Sequence, residues 1–205
     1  MQRLFRSRIV AGIALALGLG LAFVLALGQP ASAEIRRKMN FGARKLTFDA
    51  AKYAPREVYY PSDEKPGTII INTRRRYLYL ILGNDRAMRY GIGVGRAGFQ
   101  WSGTAYVGAK RKWPDWYPPR EMIEREWRKY KRRLPEKMKG GPKNPLGARA
   151  IYLFKNGRDT LYRIHGTNQP WSIGRAVSSG CIRMRNEDVV ALYEKVRKGA
   201  KVIVK

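Results

Sequence analysis

The chain has 205 residues, enough for one domain with a proper core and some further segment. Its 42 Lys and Arg against 15 Asp and Glu give a formal charge of +27, which favours anionic partners. A single cysteine excludes an internal disulfide, and one histidine with one cysteine excludes a closed tetrahedral metal set of those ligands.

Residues 1–33 have the pattern of an export signal. Arg3, Arg6 and Arg8 form a basic start, Ile9 to Gly28 is uncharged and mostly apolar, and Ala31-Ser32-Ala33 is a small-residue cleavage site that would leave Glu34 at the mature N-terminus. The alternative is an uncleaved anchor, because such an apolar run is just long enough to span a bilayer. Either way residues 34 onward are expected outside the cytoplasm, in the periplasm or cell envelope. Removing the signal takes three arginines and no acids, leaving +24. In that compartment nucleic acid is a poor partner, and anionic wall polymers or a lipopolysaccharide or phospholipid surface suit the charge better.

Residues 34–66 are interrupted by Pro55, Pro61 and Pro66 and are expected to be a basic, extended lead-in, with Tyr53, Tyr59 and Tyr60 against the domain. From 67 to 205 the pattern is that of one β-rich domain without internal repeats. Strands are expected over 68–72, 77–82, 87–94 and 101–110. Between 113 and 146, Ile123, Trp127, Tyr130 and Leu134 recur at helical spacing, which predicts a short amphipathic helix covering the sheet. Residues 150–154 and 160–165 are expected to pair around an Asn156-Gly157 turn. Asn186 is expected to cap a last helix carrying Glu187 and Asp188 in its first turn, and 201–204 forms the final strand.

The segment Gly93-Val-Gly-Arg-Ala-Gly98 matches a dinucleotide fingerprint formally, but that pattern needs a helix directly after it, and here another strand is expected. His165 and Cys181 lie sixteen residues apart. Gly180 beside the cysteine gives room for a substrate carbonyl and for backbone N–H groups to meet it. A thiol next to an imidazole can be activated as a nucleophile. Arg183 could lower the thiol pKa, bind a carboxylate or brace the loop. From these residues alone, a Cys/His acyl-transfer site and a structural pair both stand.

The run His165-Gly166-Thr167, Gly174, Ser178-Ser179-Gly180-Cys181-Ile182-Arg183-Met184 resembles the motif of the L,D-transpeptidase (YkuD/ErfK-type) catalytic domain, and "GGPKNPLGARAIYL" at 140–153 resembles the segment before it. The resemblance covers residues 67–205. It departs at Ser179, where many members carry a second histidine, so any scheme using that side chain is unavailable here. It implies a mainly β, β-sandwich-like mixed sheet with short peripheral helices. It also implies transfer between peptidoglycan stem peptides without metal or organic cofactor. Cys181 would be the nucleophile and His165 the base and acid, oriented by a backbone carbonyl. Gly180 and Ser179 would support the oxyanion or the triad, and Arg183, Thr167, Gly166 and Ser178 would bind substrate or hold the structure. The acceptor is open between a second stem peptide giving a 3→3 link, a lysine of an outer-membrane protein, a small amino acid and water. A non-catalytic envelope-binding module is the rival from another class.

Overall fold

The computed structural model describes residues 50–97 and 101–205, so the proposed signal and residues 34–49 of the lead-in lie outside the described residues. The strands are β1 (Arg56–Tyr59), β2 (Ile69–Asn72), β3 (Tyr77–Gly83), β4 (Arg86–Gly91), β5 (Val94–Gly95), β6 (Gly103–Lys112), β7 (Arg149–Lys155), β8 (Arg158–His165), β9 (Ala176–Ser178), β10 (Ile182–Arg183) and β11 (Lys201–Val204). The helices are α1 (Arg120–Tyr130) and α2 (Asn186–Lys195). Nine strands form one mixed sheet in the order β1-β4-β3-β2-β11-β6-β7-β8-β10, and β5 pairs with β9 in a small parallel sheet. The two parallel contacts in the large sheet, β2–β11 and β8–β10, join strands far apart in sequence. This is the mainly β fold with a mixed sheet and two short helices that the resemblance implied.

Alternation accounts for the core. Ile69 and Ile71 on β2 belong to the main apolar cluster with Leu78, Leu80, Ile151, Leu153, Ile164, Ile182 and Met184, while Ile70 faces the other side with Tyr79, Ile81 and Ala87. Val189 and Leu192 of α2 close the main cluster. Burying a side chain of this size is worth about 1.5–3 kcal/mol, so these residues dominate the stabilisation.

Two expectations change. Residues expected as lead-in contribute β1, which pairs with β4 and extends the sheet edge; Tyr53 is buried against the domain as expected, but Tyr59 is exposed. The helix α1 does form, but none of its residues is buried, so it does not cover the sheet as expected. It ends at Tyr130, where Lys131 takes a left-handed conformation, and Leu134 falls outside it. Among the described residues, no helix is long and apolar enough to cross a membrane.

Candidate active site

The parallel pairing of β8 and β10 sets Ile182 against Ile164 and Arg183 against His165. Ile164, Ile182 and Met184 are buried in the main cluster, so by the two-residue period His165 and Arg183 face the other side. Cys181, the residue before β10, lies two positions from Arg183 and so shares the face of His165 and Arg163. Strand spacing puts its Cα about 8 Å diagonally from that of His165. Sixteen residues separate the pair in sequence, and the strand register places them two positions apart on one face of neighbouring strands.

His165 is buried, and its Nδ1 lies 2.5 Å from the carbonyl oxygen of the next residue, Gly166. A carbonyl only accepts, so Nδ1 carries the proton and Nε2 is left as the basic nitrogen. Burial, reinforced by the Arg183 charge, pushes the imidazole pKa down to about 3, against the pull of the Gly166 and Leu146 backbones. The half-buried Cys181 thiol makes a long contact of 3.9 Å with the Leu161 carbonyl. Burial raises its pKa, opposed by the Arg163 backbone and by the charges of Arg163 and Arg183. Both shifts favour the neutral forms, thiol and imidazole, over an ion pair.

The loop carrying the thiol is held by Ser178. Its buried hydroxyl donates to the Cys181 carbonyl at 2.6 Å and accepts the Gly180 N–H at 3.2 Å. Gly180 has φ of +108°, which disfavours any other residue at this turn. Its N–H, expected to support an oxyanion, is engaged inside the loop. Ser179 Oγ meets the guanidinium of Arg125 on α1 at 3.5 Å, so the exposed helix touches the thiol loop. Thr167 is buried, and its Oγ1 accepts the Gln169 N–H at 3.0 Å, making a turn and not a lining group. Arg183 donates to Gln169 Oε1 at 3.3 Å, while its Nε is buried without a partner. Bracing accounts for only part of this arginine.

Three features were missed in the sequence. Leu161, which meets the thiol, has φ of +62° in an irregularity of the β7–β8 pairing. Asp159 holds that turn by accepting the Leu161 N–H at 2.8 Å and both guanidinium nitrogens of Arg163. Asn186 does not cap α2. Arg185 occupies the cap position without a side-chain capping bond, and the Asn186 amide reaches the His165 loop instead. Asp159, a turn-favouring residue two positions before Leu161, was the only local signal for the first two, and none marked the third.

The glycine pattern at 93–98 does not lead into a helix. Gly93 exchanges two hydrogen bonds with Arg183, Val94–Gly95 is β5, and the next described element is β6. Among the described residues no three His, Cys, Asp or Glu side chains are grouped as a metal site.

The family model for the YkuD L,D-transpeptidase catalytic domain matches residues 66–204. The chain is 37% identical over 152 residues to the probable L,D-transpeptidase YbiS of Escherichia coli (strain K12), covering 72% of this chain and 47% of YbiS, so the match spans about half of that relative. It is 35% identical over 138 residues to the putative L,D-transpeptidase YqjB of Bacillus subtilis (strain 168), covering 66% of this chain and 69% of YqjB. A crystal structure from Brucella melitensis, described as a probable carnitine operon oxidoreductase caia, superposes with a TM-score of 0.50 at 50% identity, covering 75% of this chain and 94% of that one.

Proposed function

The chain belongs to the family of L,D-transpeptidase catalytic domains, and from that premise we propose that it is a cysteine acyltransferase acting on peptidoglycan stem peptides in the cell envelope. The observation that carries this reading is the common face of Cys181 and His165, with Nδ1–H held by Gly166 and Nε2 left as base. The oxidoreductase description of the Brucella melitensis protein finds no support in the glycine segment, which forms β5 and a bridge to β10.

In this reading the Cys181 sulfur attacks the carbonyl of the third residue of a tetrapeptide donor while His165 Nε2 takes the thiol proton. The C–N bond to the terminal D-Ala breaks, the imidazolium returns its proton to the leaving amine, and a thioester remains. The side-chain amine of a second stem attacks the thioester, gives its proton to His165 and releases the thiol, leaving a 3→3 cross-link. Because thiol and imidazole are both neutral at rest, proton transfer accompanies attack. We assign the oxyanion contact to the Cys181 N–H, since that of Gly180 is engaged by Ser178. The guanidinium of Arg183, which reaches Gln169 beside the His165 loop, suits a stem-peptide carboxylate. Residues 1–33 serve as the export signal, and the basic surface meets anionic wall polymers.

Mass analysis of muropeptides after incubating residues 34–205 with tetrapeptide-rich sacculi tests this. New 3→3 dimers and released D-Ala support the reading. Tripeptides alone would point to water as acceptor, stems joined to a lysine to a protein acceptor, and unchanged sacculi to a binding module.

A further inference from the structure

The carbonyl that orients His165 belongs to the Gly166–Thr167 peptide, and the other end of that peptide is also held. The Thr167 N–H donates to Asn186 Oδ1 at 3.2 Å. The same oxygen accepts the Ala148 N–H at 2.9 Å, and Asn186 Nδ2 donates to the Thr167 carbonyl at 2.8 Å. Two N–H groups on one side of the amide and a carbonyl on the other fix which way it faces. Asn186 is buried at the first residue of α2, just after β10, where Met184 N–H bonds the His165 carbonyl at 2.8 Å and the Arg185–Asp188 ion pair pins the helix start. The space for it is made by glycine: a Cβ at Gly166 would come to 2.1 Å of Asn186 Oδ1, and one at Gly147 to 2.2 Å. An asparagine used only to start a helix needs neither glycine nor contact with two distant loops.

We propose that Asn186 is the positioning residue of the His165 imidazole: by accepting the Thr167 N–H it fixes and polarises the Gly166–Thr167 peptide, whose carbonyl then holds the Nδ1–H form and leaves Nε2 basic toward Cys181. The chain of bonds runs Asn186 Oδ1, Thr167 N–H, Gly166 C=O, His165 Nδ1–H, and each polarises the next. A carboxylate would provide the same orientation at the cost of a charge beside a buried imidazole. A peptide backed by a neutral amide orients the ring and adds no charge that would stabilise its protonated form. The role of Nε2 rests on the proposed function; the tautomer itself does not.

The chain's lone histidine makes the test direct. Imidazole ¹⁵N spectra of the protein, purified without a histidine tag, report the tautomer at neutral pH. The wild type should show the Nδ1–H form; the Nε2–H form would overturn the proposal outright. Asn186→Ala should lose the single tautomer and slow Cys181 acylation by a soluble carbapenem roughly tenfold to hundredfold, taking the range for residues that orient a metal-ligating histidine as the guide. Asn186→Asp keeps the acceptor for Thr167 and loses the donor to its carbonyl, so it should recover the Nδ1–H form even though it is no more stable than the alanine variant. Gly108→Ala, whose Cβ would strike the Phe154 ring, is the control for lost stability and should leave the tautomer unchanged. If Asn186→Ala kept the wild-type tautomer, or if Gly108→Ala disturbed it equally, Asn186 would be structural only. Failure of any carbapenem to acylate the wild type would count against the transpeptidase reading and leave the spectra as the test of Asn186.

Discussion

His165 and Gly166 are neighbours in sequence and hydrogen-bonded in the fold: the imidazole Nδ1 donates to the Gly166 carbonyl at 2.5 Å. A residue that binds its own neighbour's carbonyl has its ring orientation set by the local backbone. No second histidine or carboxylate is then needed to orient the ring, which is compatible with Ser179 two residues before Cys181.

Burial keeps both members of the pair neutral, so the thiolate should be absent at rest. The ultraviolet thiolate absorbance of the wild type, referenced to Cys181→Ala, should be missing at pH 7 and emerge only at alkaline pH, because the thiol is raised above its ordinary value. A thiolate signal at neutral pH would mean that a preformed ion pair exists.

His165 also makes stability depend on pH. Its folded pKa is about 3, below the ordinary 6.5, so between those values the unfolded chain takes a proton that the folded chain refuses. Stability from this residue is therefore present above about 6.5 and lost as pH falls toward 3. His165→Gln should gain melting temperature relative to the wild type across that window, measured by thermal melts at matched pH. The same variant should acylate 10²–10⁴-fold more slowly, the range for a general base.

Ser178→Ala removes one hydroxyl that makes two bonds, to the Cys181 carbonyl and from the Gly180 N–H. Leaving both groups unsatisfied in a buried loop should cost about 1–3 kcal/mol in denaturant unfolding. Acylation should fall as well, because the loop that presents the thiol loosens. A stable variant with unchanged acylation would remove Ser178 from the account.

The basic surface and the chemistry should separate by salt. Exposed charges are screened beyond about 8–10 Å at physiological ionic strength, whereas groups in contact are not. Binding to sacculi should fall steeply from about 20 to 300 mM salt while carbapenem acylation stays nearly flat. Salt-independent binding would mean that the charge is not the docking feature.

Much of this was legible before the fold was seen, and the rest shows what local sequence does not carry. Seven of the strands between Ile69 and Val204 announced themselves by apolar, β-branched or aromatic runs between turn formers, whereas the two- and three-residue strands β5, β9 and β10 are too short to show a pattern. By contrast, β1 is Arg-Glu-Val-Tyr between Pro55 and Pro61, with three of four residues exposed, so it had no apolar face to betray it. Helix α1 has the right period, but period alone does not say whether a face is covered, and nothing in α1 is buried. His165 and Cys181 were picked out by rarity and motif, yet their place on one face depends on the register of a parallel strand pair, which the local sequence does not encode. Asn186 looked like a cap because it precedes two acids. Its actual partners, Ala148 and Thr167, are 38 and 19 residues away.

The central claim is that Cys181 carries the acyl group. Intact-mass measurement of residues 34–205 mixed with a stem tetrapeptide donor, without acceptor, tests it most directly. The account predicts a wild-type species heavier by the acyl-tripeptide, located at Cys181 by fragmentation, and no such species with Cys181→Ala. An acyl adduct on another residue, or the same adduct persisting in Cys181→Ala, would contradict it.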